Sequence, residues 1–96
     1  MTYRLTRRAR RDILAIWVYI AENNESAADR FVDVLIHHFA LLGKNPYAGR
    51  SREDLRTGYR SFPVGQYLIL YSVAEPGVRI MQVLHGRRDI AALFEH

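Results

Sequence analysis

The chain has 96 residues, of which 49% are apolar and 25% charged, and it contains no cysteine. This composition excludes a disordered chain, disulfide bonds and thiolate chemistry, and the length supports one hydrophobic core. We therefore expect a single domain over residues 1-96, in a reducing cytoplasm. The formal net charge is +4, and 13 of the 14 basic residues are arginine, whose planar guanidinium binds phosphates and carboxylates. A nucleic acid or an acidic protein surface is thus permitted as a partner.

Two helices are predicted in the N-terminal half, after a short strand over residues 3–6. The first helix begins at about Thr6 and ends near residue 23, where two asparagines interrupt the pattern. Ser26 is the expected N-cap of the second helix, with Asp29 three residues later, close to a capping box. That helix is expected to run to Leu42, with Gly43 as a left-handed stop.

The first predicted helix is apolar on more than the one stripe that packing on a single sheet requires. One stripe contains Ile13, Ile16 and Ile20, and a second contains Leu14 and Val18. The second helix shows the same excess. We therefore expect a helical hairpin that packs on a sheet and leaves apolar surface for a protein partner.

A polar loop over residues 43–57 is expected to lead into three strands. The first of them, residues 59–64, contains Pro63 and so suits the edge of a sheet. Gly65-Gln66 predicts a two-residue hairpin with a type II′ turn. Residues 67–73 are apolar on both faces, which is typical of a central strand that is covered on both sides.

The rest of the chain completes a small sheet. Pro76-Gly77 predicts a turn, residues 78–84 form the last predicted strand, and residues 89–94 form a short C-terminal helical turn. The order is β-α-α-β-β-β. It indicates an α+β fold in which the helical hairpin packs on one face of a small, mostly antiparallel sheet.

Basic side chains lie near the ends of these strands and support two interpretations. They precede the first of the three strands, lie in it, or follow the last one: Arg50, Arg52, Arg56, Arg60, Arg87 and Arg88. One interpretation is a basic patch that binds a nucleic acid or an acidic protein. The other is solvated loop charge that pairs with Glu53, Asp54 and Asp89. The residue types alone do not decide between the two.

His85 ends the last predicted strand and is a candidate general acid or base, because imidazole titrates near neutral pH. The alternative is a strand-end side chain that bonds to a neighbour. RNA cleavage needs a base, an acid and cations around the phosphate. His85 and the arginines supply part of that set, and no tyrosine follows Tyr71 to complete it. His37 and His38 are adjacent on a helix and point apart, so we expect no metal and no cofactor.

Three segments together resemble one known family. They are residues 55–64 (Leu-Arg-Thr-Gly-Tyr-Arg-Ser-Phe-Pro-Val), 67–71 (Tyr-Leu-Ile-Leu-Tyr) and 83–90 (Val-Leu-His-Gly-Arg-Arg-Asp-Ile). They are similar to the ParE toxins of the RelE/ParE superfamily. The resemblance implies a bacterial, cytoplasmic toxin of a type II toxin-antitoxin module, neutralised by direct binding of a ParD-like antitoxin. It further implies inhibition of DNA gyrase, contact with DNA only through the antitoxin, and no membrane association.

The same resemblance leaves two alternatives. The RelE branch of the superfamily cleaves mRNA on the ribosome, and in that case Arg60, His85 and Arg87 are the expected catalytic residues. This sequence lacks the lysine-rich set and the C-terminal tyrosine of that branch, so we expect no catalytic site. The second alternative is an inactive toxin that only binds its antitoxin. The residues expected to contact a partner are Leu14, Val18, Arg50, Arg56, Arg60, His85, Arg87 and Arg88.

Overall fold

The computed structural model describes residues 2–94 of the chain. Within these residues five strands and two α-helices follow one another: β1 (Tyr3–Leu5), α1 (Arg7–Ala21), α2 (Glu25–Lys44), β2 (Arg50–Ser51), β3 (Tyr59–Val64), β4 (Tyr67–Ala74) and β5 (Gly77–His85). A short 3-10 helix, Ala91–Phe94, follows β5. This order confirms the predicted α+β fold with a helical hairpin between the first strand and the rest of the sheet.

The strands form one sheet in the order β1-β5-β4-β3-β2. Strand β1 runs parallel to β5, and the other neighbours are antiparallel. Strands β3 and β5 both run antiparallel to β4, so they point in the same direction. The start of β3 and the end of β5 therefore lie at opposite ends of the sheet.

Strand β4 is buried on both faces, as its apolar sequence predicts. On one face, Ile69 and Tyr71 belong to a core that both helices close. On the other face, Leu70 packs in a smaller cluster with Leu55 and Ile90, which come from the loop before β3 and from the segment after β5. The small sheet therefore has a helical cover on one side and a cover of irregular chain on the other.

The predicted signals at both ends of α2 are wrong. Asn24, and not Ser26, is the N-cap, and its side chain accepts a hydrogen bond from the backbone N–H of Ala27. Gly43 does not adopt the left-handed conformation, and it lies within the helix, which ends at Lys44. Glycine is needed at position 43 because a Cβ there would overlap the side chain of Thr2 in the N-terminal segment.

The turns and edges agree with the predictions in part. Gly65 has a φ of 59°, and no non-glycine residue between positions 2 and 94 has a positive φ, which fits a type II′ turn. At the next turn, the loop residues are Glu75 and Pro76, because Gly77 already pairs with β4. The expected polar loop contains β2, which pairs with the first half of β3, so the unpaired edge of β3 is confined to the part around Pro63.

Helix α1 is fixed to the sheet at a β-bulge in β5. The register between β4 and β5 shifts at Met81, which leaves backbone groups there without a partner on β4. The hydroxyl of Thr6, the N-cap of α1, donates to the carbonyl of Met81 over 2.8 Å. The carboxylate of Asp12 accepts a bond from the backbone N–H of Val83 over 3.0 Å and a second bond from Arg8. The first turns of α1 thus satisfy the groups that the bulge exposes.

We predict that Asp12→Ala lowers the free energy of unfolding by about 1–3 kcal/mol, because the Val83 N–H loses its acceptor in a partly buried position. The matched control is Arg8→Ala, which removes only the exposed half of an ion pair and is expected to cost less than about 1 kcal/mol. Urea titrations followed by circular dichroism measure both values. Equal costs for the two variants would contradict the role given to the bond between Asp12 and Val83.

Candidate partner-binding site

At one end of the sheet, Arg60 and Tyr71 hold the loop that connects α2 to β2. They are cross-strand neighbours on β3 and β4. The Nε and Nη2 atoms of Arg60 donate to the carbonyl oxygen of Gly49 over 3.0 and 2.7 Å. The hydroxyl of Tyr71, which is fully buried, donates to the carbonyl of Pro46 and accepts from the N–H of Gly49, each over 2.8 Å. The side chains of Arg60 and Tyr71 therefore fix the backbone of this loop through hydrogen bonds.

The position of this loop accounts for the glycine at position 49 and for a contact between Arg60 and Tyr47. A Cβ at position 49 would lie only 2.5 Å from the Tyr71 hydroxyl oxygen, so Gly49 is required for this approach. The guanidinium of Arg60 also lies over the exposed ring of Tyr47, 5.3 Å from its centroid. The role of Tyr71 in holding this loop was not predicted from the sequence. The signal that was available is a hydroxyl in an otherwise apolar central strand, since a buried hydroxyl needs a hydrogen-bond partner.

His85 lies at the opposite end of the sheet, at the tip of the β3–β4 hairpin. Its Nδ1 accepts the backbone N–H of Arg87 over 3.1 Å, so in a neutral ring Nε2 carries the hydrogen and donates to the Gln66 side chain over 3.3 Å. Its ring also contacts that of Tyr67 edge to face at 5.2 Å between centroids. Burial raises the pKa of the Tyr67 phenol, with a smaller contribution from nearby Tyr19.

The structure does not bring Arg60 and His85 together. Arg60 pairs with Tyr71, and His85 pairs with Tyr67, four residues further along β4. At about 3.3 Å per residue this separates them by about 13 Å along the strands, with β4 between them. The separation follows from the meander, which places the start of β3 and the end of β5 at opposite ends. A phosphate group cannot contact both side chains in this arrangement.

The other predicted arginines are distributed over the exposed ends and the outer face of the sheet. Arg52 donates two hydrogen bonds to Asp54, which lowers the pKa of that carboxyl and raises the pKa of Arg52. Arg56 lies over the ring of Phe94, 5.0 Å from its centroid. The other three are exposed: Arg50 in β2, and Arg87 and Arg88 after β5. The loop before β3 and the segment after β5 therefore do meet, on the face opposite the helices.

An apolar groove lies between the two helices. It has a volume of about 340 Å³ and is lined by Leu5, Arg10, Ile13, Leu14, Trp17, Val32 and Ile36. Leu14 is 63% exposed, and Val18, one turn further along α1, is 46% exposed. The predicted second stripe of α1 is thus on the surface. Ile36 lines the groove as one of the excess apolar positions of α2. Leu5 lines it because of the position of β1 in the sheet.

Among residues 2–94, no three histidine, aspartate or glutamate side chains lie close enough together to hold a metal ion. Neither helix in this part of the chain is long and apolar enough to cross a membrane.

The model of one protein family, described as the ParE toxin of the type II toxin-antitoxin system parDE, matches residues 3–90. The chain belongs to the ParE toxin family. Toxin ParE1 of Caulobacter vibrioides is similar to it, with 38% identity over 94% of both chains. This family membership confirms the resemblance that the three sequence segments indicate.

This ParE-family chain is also similar to a toxin named RelE3 and to one solved structure. Toxin RelE3 of Caulobacter vibrioides is 30% identical over 82% of this chain and 87% of its own length. A solved structure titled "Chromosomal ParDE TA system from P. aeruginosa" has a TM-score of 0.72, with 22% identity over 88% of this chain and 95% of the other. The structural similarity shows that the two chains share a fold.

We predict that Tyr71→Phe lowers the free energy of unfolding by about 1–3 kcal/mol, because the buried N–H of Gly49 loses its acceptor. Tyr47→Phe is the matched control, since it also removes one phenol hydroxyl, but from an exposed side chain, and is expected to change stability by less than about 0.5 kcal/mol. Chemical denaturation measures both. If the two variants are equally stable, the Tyr71 hydroxyl does not hold the loop.

Proposed function

We propose that this ParE-family chain is the toxin of a type II toxin-antitoxin pair, neutralised by direct contact with a ParD-like antitoxin, and that it inhibits DNA gyrase. The proposal has two parts, the partner and the target. Membership of the ParE toxin family supports the partner, whereas inhibition of gyrase is what the resemblance to ParE toxins implies.

The partner is proposed from the apolar groove between α1 and α2. Leu14 and Val18 expose apolar side chains beside it, and an amphipathic helix can bury such side chains in a groove of this shape. An antitoxin segment that folds on binding is suited to this mode, since it orders only when it finds its partner. The exposed arginines Arg50, Arg87 and Arg88 are proposed as further contacts for acidic side chains of the antitoxin.

The target is proposed from the arrangement of Arg60 and His85, and this single observation carries the choice of gyrase over mRNA. Ribonucleolytic cleavage needs an acid, a base and cations around one phosphate. Here Arg60 donates to the Gly49 carbonyl at one end of the sheet, and both ring nitrogens of His85 are hydrogen-bonded at the other end. A toxin with this arrangement is better suited to bind and block a protein machine than to cut RNA.

The groove part of the proposal is tested with Leu14→Asp. A carboxylate in the groove must be desolvated when the antitoxin helix binds, so we expect the affinity for the antitoxin to fall by at least tenfold, or about 1.4 kcal/mol. Ala15→Asp is the matched control, because it adds the same charge to the exposed surface of the same helix outside the groove. Isothermal titration calorimetry with the purified antitoxin measures both. Equal affinities for the two variants would remove the groove from the interface.

The target is tested by adding the purified chain to two reactions in parallel. We expect it to inhibit supercoiling of relaxed plasmid by gyrase and to leave mRNA intact in a translating extract, as read by primer extension. Ribosome-dependent cuts would replace the gyrase proposal with RNA cleavage. The absence of both effects would indicate an inactive toxin that only binds its antitoxin.

A further inference from the structure

The outer face of the sheet, opposite the helices, carries a row of polar side chains at one end. Ser72 follows the buried Leu70 by two residues on β4, so both side chains point to this face. Ser72 pairs with Tyr59 on β3 and with Arg79 on β5, and Arg79 pairs with Arg4 on β1. These four residues, the polar strip, cross four strands and span about 14 Å. Both arginines of the strip are exposed.

Arg4 and Arg79 lie side by side without an internal counter-charge. They are direct partners on neighbouring strands, where like charges oppose each other and destabilise the pair. Within residues 2–94, neither guanidinium forms an ion pair or a side-chain hydrogen bond. Both line a cleft of about 220 Å³ whose acidic residue is Glu75. Two exposed guanidiniums beside a cleft are suited to bind an anion.

A third arginine extends the positive charge to the other end of the strip. The guanidinium of Arg56 lies over the ring of Phe94, and the ring of Tyr59 contacts the same ring edge to face, 5.8 Å between centroids. Arg56 therefore borders the strip, and its side chain is exposed. A guanidinium that stacks on a ring keeps its edge for hydrogen bonds. Positive charge thus lies at both ends of the polar strip.

The polar strip lacks the apolar anchors of a protein interface. Among residues 2–94, the large apolar side chains that are strongly exposed lie on the two α-helices, in the loop before β2 or in the 3-10 helix, and none lies on a strand. A protein interface normally has aromatic or aliphatic anchors at its centre. Positive charge without such anchors suits phosphate groups, because their contacts with proteins are mainly electrostatic.

The strip also lacks a free aromatic face. Proteins that bind single-stranded nucleic acids stack the bases on aromatic rings. The side chain of Tyr59 is half-buried and contacts Phe94, and Arg56 lies over the ring of Phe94. In a duplex the bases are already stacked and the phosphates are outside, so cations and hydrogen-bond donors are sufficient. The strip therefore fits a duplex better than a single strand.

We propose that the polar strip and Arg56 bind the phosphate backbone of duplex DNA, so that the toxin contacts the DNA held by gyrase as well as the enzyme. Direct contact of this kind departs from the expectation that the chain meets DNA only through its antitoxin. The gyrase part rests on the proposed function, whereas DNA binding depends only on the strip. The strip and the groove between α1 and α2 lie on opposite faces and share no side chain.

The test is fluorescence anisotropy of a short labelled DNA duplex, titrated with the purified full chain at several salt concentrations. Three contacts between arginines and phosphates predict a slope of about −2.7 for log affinity against log salt concentration. Arg4→Gln and Arg79→Gln are each expected to reduce the size of the slope by about 0.9 and to weaken binding at low salt. Arg11→Gln is the matched control, because it removes the same charge from an exposed position of α1.

The same titrations contain the results that would overturn DNA binding by the strip. One is the absence of binding by the parent chain, and another is equal binding by Arg79→Gln and Arg11→Gln. A third is displacement of the duplex by polyglutamate at equal charge concentration, which would show that the strip recognises carboxylates. Unfolding titrations of Arg79→Gln serve as a check on the fold. We expect no loss of stability, since this variant relieves the repulsion between Arg4 and Arg79.

Supercoiling assays separate this inference from the proposed function. We expect inhibition of gyrase to require a several-fold higher concentration of Arg79→Gln than of Arg11→Gln. If the parent chain inhibits gyrase but does not bind the duplex, DNA binding by the strip is wrong and the gyrase proposal stands. If it binds the duplex through the strip but leaves supercoiling unchanged, the gyrase proposal fails and DNA binding stands.

Discussion

The burial of β4 on both faces is the constraint on which the rest of the structure depends. One strand carries Ile69 and Tyr71 into the helical core and Leu70 into the opposite cluster. Residues 2–94 contain one helical hairpin, and it covers one face. The second face must therefore be covered by the loop before β3 and the segment after β5. This requirement explains why two segments without regular strand structure have fixed positions and carry Leu55 and Ile90 at defined places.

The same constraint determines what the polar side chains at the strand ends can do. Loops that cover or border the sheet bring backbone groups next to its ends, and these groups need partners. Arg60 and Tyr71 supply them at one end, and the hydrogen bonds of His85 connect β5 with the hairpin tip at the other. Side chains that look catalytic in the sequence are thus used to hold the fold. Within residues 2–94, we place recognition of the antitoxin at the apolar groove between α1 and α2 and at the exposed arginines Arg50, Arg87 and Arg88.

Much of the fold could be predicted from the sequence, because periodicity and turn chemistry are local properties. The two-faced burial of β4, the turn at Gly65 and the surplus apolar surface of α1 all follow from residue spacing. The features that were missed depend on tertiary contacts. Asn24 and Ser26 are both able to cap α2, and Gly43 is explained only by its contact with Thr2. Strand β2 has two residues, which is too short for a periodic signal.

In the candidate site, too, local features were predicted from the sequence and features that depend on tertiary contacts were not. The residue types near the strand ends were predicted, but Arg60 and His85 lie apart, since the meander separates the start of β3 from the end of β5. The free energy of unfolding of Arg60→Gln, relative to the parent chain, tests most directly whether Arg60 holds the loop. If Arg60 holds the loop at Gly49, the variant loses charged hydrogen bonds and is less stable by about 1.5–3 kcal/mol. An unchanged free energy of unfolding would contradict the account, because Arg60 would then be free to act on a substrate.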